Sequence, residues 1–205
     1  PPLANISVTL TLSNGSEITV TTNGSGVFSA AVPAGLTVVD VSANDPDFPA
    51  GSLITTNNNG QSVFAAAATT TSAADIGYAQ YGSLSGVVFE DANENGAYDP
   101  GEQFLGGIEV SAEDGSGQVR TTTSDSTGAF IFNGLRVGAV MVWVDTADGD
   151  LPTNYILTTN NALQSSSIIG GDEITASAFG FFEDPLLAVM RYITVTVDDA
   201  SGVVT

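Results

Sequence analysis

The chain of 205 residues contains no cysteine and no histidine, and its 23 aspartates and glutamates face only 3 basic residues, all of them arginine. Without thiols or imidazoles, Ser-His-Asp and Cys-His catalysis are excluded, and so are thiolate and imidazole metal sites. Disulfides are excluded too, so nothing about compartment follows from redox chemistry. The absence of lysine removes Schiff-base chemistry and any Lys–Asn isopeptide staple. With so few cations the chain is unsuited to nucleic acid or to an anionic membrane, both of which require Lys/Arg to neutralise phosphate. No apolar run approaches the roughly 20 residues of a membrane span, so no membrane insertion is expected. The chain opens on Pro1-Pro2 with no Met and no signal peptide, as a processed or trimmed product would. What remains is hard-cation chemistry on oxygen. A net charge of −20 is relieved most simply by bound cations.

The chain contains itself twice. Leu3, Ile6, Val8, Gly26 and Phe28 fall on Leu105, Ile108, Val110, Gly128 and Phe130, an offset of 102. After one inserted residue the offset becomes 103, so that Asp47-Phe48-Pro49 falls on Asp150-Leu151-Pro152 and Ile76-Gly77-Tyr78 on Phe179-Gly180-Phe181. Nothing in the first copy matches Tyr81–Glu102. The reading is a headless module over 1–80, a complete module over 81–182 and a tail over 183–205, with a short junction at Gly77–Ser83 and no flexible spacer. The local pattern is β throughout. Ile6, Val8, Leu10 and Leu12 alternate with polar residues, and Asn14-Gly15 marks a hairpin into Glu17–Thr22. Ser85–Phe89, Ile108–Ala112, Ala129–Phe132 and Val137–Val144 read as strands, the last two separated by Asn133-Gly134. Ala65–Ala68 alone is helix-friendly. The expected fold is all-β, with two tandem antiparallel β-sandwich modules of Ig-like or prealbumin-like type and a C-terminal strand tail.

Residues 91–102 read DANENGAYDPGE. Asp91, Asn93, Asn95, Ala97, Asp99 and Glu102 occupy positions one, three, five, seven, nine and twelve, with Gly96 at six: the oxygen spacing of an EF-hand-type calcium loop. Alternate residues of such a loop point inward, Ala97 offers its carbonyl, and Glu102 closes the shell. The flanks are strands, so this is the loop without the EF-hand fold; an acidic Asn/Gly-rich turn is the alternative. Together with Gly86-Val87-Val88-Phe89 before it, and Gly106, Val110, Asp125-x-x-Gly128-x-Phe130-x-Phe132-x-x-Leu135-x-x-Gly138 and Phe179-Gly180-Phe181 after it, the loop resembles the SdrD B-like modules of bacterial surface adhesins. These lie within the wider Cna-B and prealbumin-like group. The resemblance covers 81–182 strongly and 3–80 weakly. It implies Ca2+-stiffened sandwiches arrayed on secreted, extracellular cell-surface proteins. It also implies that Asp125 adds a carboxylate to the calcium cluster, with turn capping by Asp125 as the open alternative. Calcium in the first copy is not expected, because the loop is missing there and Asn23 stands where Asp125 would.

The remaining features have plain readings. Asn5-Ile6-Ser7, Asn14-Gly15-Ser16 and Asn23-Gly24-Ser25 fit the glycosylation triplet, as an Asn/Ser/Thr-rich chain does by chance. Trp143 is expected in the core, and Asp145, Asp148 and Asp150 as a solvated acidic loop, with a second weak calcium patch as the alternative. No two carboxylates are placed in a cleft for glycoside cleavage, so no enzyme is expected. A sandwich without its first strand exposes an apolar groove and an unpaired edge that recruits a strand. Tyr192, Ile193, Val195 and Val197 in the tail are expected to supply it to the next molecule, giving a head-to-tail homopolymer by donor-strand exchange, with the tail completing the first copy of its own molecule, as a closed monomer, the open alternative. The expected function is a structural subunit of an extracellular filament or surface layer. The alternative is an adhesin or ligand-binding fragment of a longer repeat protein, whose receptor the sequence does not name.

Overall fold

A computed structural model describes residues 1–186; the expected donor residues Tyr192, Ile193, Val195 and Val197 lie outside the described residues. The described residues form fourteen strands: β1 Ser7–Thr11, β2 Glu17–Thr21, β3 Gly35–Val41, β4 Ser52–Ile54, β5 Gln61–Ala65, β6 Tyr78–Glu90, β7 Glu109–Glu113, β8 Val119–Thr123, β9 Ala129–Arg136, β10 Gly138–Val144, β11 Tyr155–Leu157, β12 Leu163–Ile168, β13 Glu173–Thr175 and β14 Phe179–Glu183. The fold is all-β. Contacts divide the chain into two compact units, Pro1–Gly82 with Ile169–Asp172, and Ser83–Ile168 with the described residues from Glu173 onward.

In the second unit one sheet has the order β12-β10-β7-β8, every pairing antiparallel. The opposing sheet takes β11, β14, the later part of β6, β13 and β9. Its β6 pairs in parallel with β13 and β14, so the expected antiparallel sandwich is a mixed one. The two inner faces meet in a single core of Val110, Ala112, Val140, Val142 and Val144 against Leu84, Val88, Phe130, Phe132, Phe179 and Phe181. Side chains at alternate positions of a strand share a face, which is why Val140, Val142 and Val144 are buried together. Trp143, on the other face, is half-buried rather than in the core, opposite the exposed Leu163 of β12. Asn133-Gly134 does not end a strand. Gly134 takes φ 65° inside β9, which runs on to Arg136. Ala65 closes β5, and Ala68 at φ 57° turns the chain where a helix was conceivable.

The first unit carries the same sheet in the order β2-β1-β3-β5. The repeat holds to the residue. Val8 pairs with Val20 and Val41 as Val110 pairs with Thr122 and Val144, and Ile54 pairs with Tyr78 as Leu157 pairs with Phe181. The clamps on the backbone repeat as well. Thr22 Oγ1 accepts from Ile6 N at 3.0 Å, as Ser124 Oγ accepts from Ile108 N at 3.0 Å. Asp45 Oδ2 accepts from Ser7 N at 2.8 Å, as Asp148 Oδ2 accepts from Glu109 N at 2.6 Å. Gln61 brackets Ala74 with bonds of 2.9 and 2.7 Å, as Gln164 brackets Ser177 at 2.8 Å twice. Asp148 is thus a backbone clamp rather than part of a loosely solvated loop, and Asp145 Oδ1 accepts from Ala147 N at 2.9 Å.

Candidate metal-binding loop and an open strand position

The acidic loop leaves β6 at Glu90 and is pinned to the second unit at its first residue. Asp91 is fully buried, and its N–H donates to the Phe181 carbonyl at 2.7 Å. Its carboxylate then organises the turn, accepting from Asn95 N at 3.1 Å and Gly96 N at 2.8 Å. Gly96 takes φ 78°, the left-handed conformation that the sharp turn requires and that glycine adopts at no steric cost. Asn93 Oδ1 accepts from Asn95 N at 3.0 Å, and Asn95 Oδ1 from Ala97 N at 2.8 Å. Both amide nitrogens converge on Asp99 Oδ2, at 2.8 Å from Asn93 and 2.6 Å from Asn95. These two hydrogen bonds hold the Asp99 carboxyl below the usual carboxylate range. Asp99 and Glu102 pair reciprocally, Asp99 N donating to Glu102 Oε2 at 2.8 Å and Glu102 N to the Asp99 carbonyl at 3.1 Å.

The loop therefore gathers Asp91, Asn93, Asn95, Asp99 and Glu102 through one network. One acceptor is left over: Glu102 Oε1 is buried and has no hydrogen-bond partner. A buried carboxylate oxygen without a donor is costly, and a cation is its natural complement. Among the described residues no three acidic side chains stand close enough to hold a metal by themselves. A hard cation here needs the Asn amides and a backbone carbonyl to complete an oxygen shell, which is the donor set this loop offers.

An aromatic cluster that the sequence did not announce ties the loop to the residues flanking it. Tyr98 stacks on Phe104, with ring centroids 4.8 Å apart and 13° between planes, and meets Phe89 edge-on at 5.7 Å. Beside it, Tyr155 donates to Glu90 at 2.9 Å; burial, then this hydrogen bond, pushes the phenol up to about 12. Asp125 takes the turn-capping role left open above. Its Oδ1 accepts from Thr127 N at 2.7 Å, Thr127 Oγ1 at 2.7 Å and Ala129 N at 3.1 Å. The Thr127 bonds foremost lower its pKa. Asn23 caps the equivalent turn, accepting from Ser25 N at 2.9 Å and Val27 N at 3.1 Å.

The second feature is a strand position. In the second unit Val88 lies opposite Phe179 and Glu90 opposite Phe181, in parallel register. Phe130, Phe179 and Phe181 around this strand are 3%, 0% and 0% exposed. Their equivalents Phe28, Ile76 and Tyr78 are only half-buried. Tyr78 pairs with Ile54 on one side, and among the described residues no counterpart of Ser83–Glu90 lies beside it.

Residues 82–178 match the SdrD B-like domain family. Serine-aspartate repeat-containing protein F of Staphylococcus epidermidis is 31% identical over 117 residues, which are 54% of this chain and 7% of that protein. Serine-aspartate repeat-containing protein D of Staphylococcus aureus (strain Newman) is 30% identical over 128 residues, 59% of this chain and 10% of that protein. This chain thus spans at most a tenth of the length of these relatives. Among solved structures, the Bacillus anthracis TIE protein superposes with a TM-score of 0.46 at 17% identity, over 89% of this chain and 31% of that one. Shaft pilin SpaA from Lactobacillus rhamnosus GG superposes with a TM-score of 0.36 at 12% identity, over 89% and 88%. By its family match and its sequence relatives, the segment 82–178 is an SdrD B-like module, of the kind that bacterial surface proteins carry.

Proposed function

We propose that the chain is a non-enzymatic structural part of a bacterial cell-surface protein, stiffened by Ca2+ at the loop 91–102 and extended by uptake of a β-strand into its first unit. The buried, partnerless Oε1 of Glu102 carries the metal reading. Asp91, Asp99 and Glu102 would supply carboxylate oxygens, Asn93 and Asn95 amide oxygens, and Ala97 its carbonyl. Bound calcium supplies charge neutralisation and a rigid link between the start and end of the loop. Asp91 would transmit that rigidity to the core through its bond to Phe181. Asp125, whose Oδ1 caps its own turn, would add through its other oxygen the further carboxylate that the family resemblance implies.

Strand uptake is supported by the incomplete covering of Phe28, Ile76 and Tyr78. Filled from another copy, that position would give heterologous contacts that grow head-to-tail without closing. A second reading, one repeat among many in a longer surface chain, is favoured by the small share of the relatives that this chain spans. Titration calorimetry with calcium, followed by electron microscopy of the calcium-loaded protein, tests the proposal. Binding heat and filaments are expected. No heat removes the metal reading, and calcium-loaded particles that stay single favour the repeat-unit reading.

A further inference from the structure

The open strand position specifies its occupant. In the second unit the residue facing Phe130 is Gly86, and a Cβ added there would lie 2.3 Å from Phe130 Cζ. Only a glycine passes under that ring. Two residues on, Val88 is fully buried, and its N–H donates to the Gly128 carbonyl at 2.8 Å. The first unit keeps the same ring as Phe28 and the same glycine as Gly26. A strand entering beside Ile76–Tyr78 therefore has to present a glycine to Phe28 and an apolar residue two positions later. The expected donor stretch around Ile193, Val195 and Val197 has no glycine, and a β-branched side chain would meet the ring.

The sequence holds that four-residue stretch once more. Ser201-Gly202-Val203-Val204 repeats Ser85-Gly86-Val87-Val88 letter for letter. We infer that this segment of a second copy fills the open position, Gly202 under Phe28 and Val204 beside Ile76, and that 193–197 is not the donor. The inference rests on the strand-uptake reading above and names the strand.

The register is fixed by equivalence. Phe179 lies opposite Val88 and Gly180 opposite Phe89 in one-to-one parallel steps, so Ala178 falls opposite Val87. In the first unit this places Asp75 opposite Val203. The chain has no cysteine, so single cysteines report pairing without background. Full-length D75C, with its side chain exposed, would be mixed with full-length V203C or T196C carrying a different tag, oxidised, and scored for disulfide-linked heterodimer. The expected result is linkage through V203C, at least tenfold above T196C, and loss of at least tenfold on adding Gly202→Leu to V203C. Fluorescence of Trp143, the single tryptophan, confirms that the second unit stays folded in every variant. Linkage through T196C instead overturns the choice of segment while strand uptake stands. So does linkage that survives Gly202→Leu. No linkage with either partner, from protein that sediments as a monomer, overturns uptake from a second copy and this inference with it.

Discussion

Replacing Glu102 by glutamine should reverse the sign of its effect depending on calcium. In the folded protein Glu102 Oε2 accepts from Asp99 N at 2.8 Å, while Oε1 is buried without a donor. An unsatisfied buried polar group costs about 1–3 kcal/mol, more when charged. Glutamine keeps one acceptor for Asp99 N and replaces a negative charge by a neutral amide. In chelator, Glu102→Gln should therefore be as stable as the wild type, or more stable by up to about 1 kcal/mol. With calcium at a hundred times its dissociation constant, linkage adds about 2.7 kcal/mol to the wild type. For a chain of this length that is a rise in Tm of about 5–11 °C. The variant loses the charged ligand that closes the shell, and a tenfold weaker affinity already removes about 1.4 kcal/mol. Differential scanning calorimetry of both proteins in chelator and in calcium gives the four values. The reasoning is refuted if the variant is equally destabilised in both media, which makes Glu102 a purely structural residue, or if calcium moves neither melting temperature.

Two further outcomes follow from the second unit. Gly86→Ala drives a methyl group into the Phe130 ring, which already packs against Phe132 and Phe179 at 6.1 and 6.0 Å. Overpacking of this kind costs about 1–3 kcal/mol, so denaturant melts should show a lower midpoint at unchanged slope; an unshifted midpoint contradicts the close approach. Asp114 is buried, and burial pushes its pKa up, yet the hydrogen bonds from Ser116, Arg136 N and Gln118 N outweigh it and hold the carboxyl low. A lowered native pKa gives stability that is present above the unfolded value near 4 and lost as pH falls through the native value. Asp114→Asn should thus cost about 1–3 kcal/mol at pH 7 and less at about pH 3, below the unfolded value. Thermal melts at the two pH values check this, and an equal gap at both contradicts it.

The sheet common to both units was legible because period-two burial and turn chemistry are local. Val8 and Leu10 face inward as their alternation requires, and Asn14-Gly15 joins β1 to β2. The loop network was legible for the same reason, since its spacing lies within twelve residues. What escaped were non-local matters. Parallel pairing of β6 with β14 joins residues some ninety positions apart, and no local pattern encodes it. Trp143 was misplaced because both faces of β10 are apolar, so composition hid the alternation that Val142 and Val144 define. The Tyr98–Phe104 stack depends on how the loop folds back over β6, which spacing alone does not give.

The two copies separate what the fold needs from what the loop adds. The positions that agree in both are hydroxyls, amides and carboxylates that seize backbone groups at strand ends: Thr22 and Ser124, Asp45 and Asp148, Gln61 and Gln164. Such bonds satisfy donors that a sheet leaves free where its ladder stops, and they do so without the disulfides that small secreted sandwiches often use. Asn23 and Asp125 belong to this class, because an amide oxygen and a carboxylate cap the turn equally well. Among the described residues the acidic loop, by contrast, has no counterpart in the first copy, and neither does the strand that carries it into place. In the second unit the two are continuous: the strand buries Val88 and Phe89, and Asp91 follows it directly, anchored on Phe181. On the proposed function, strand uptake belongs to the first unit and metal binding to the second, so Gly202→Leu should leave calcium binding intact and Glu102→Gln should leave strand uptake intact.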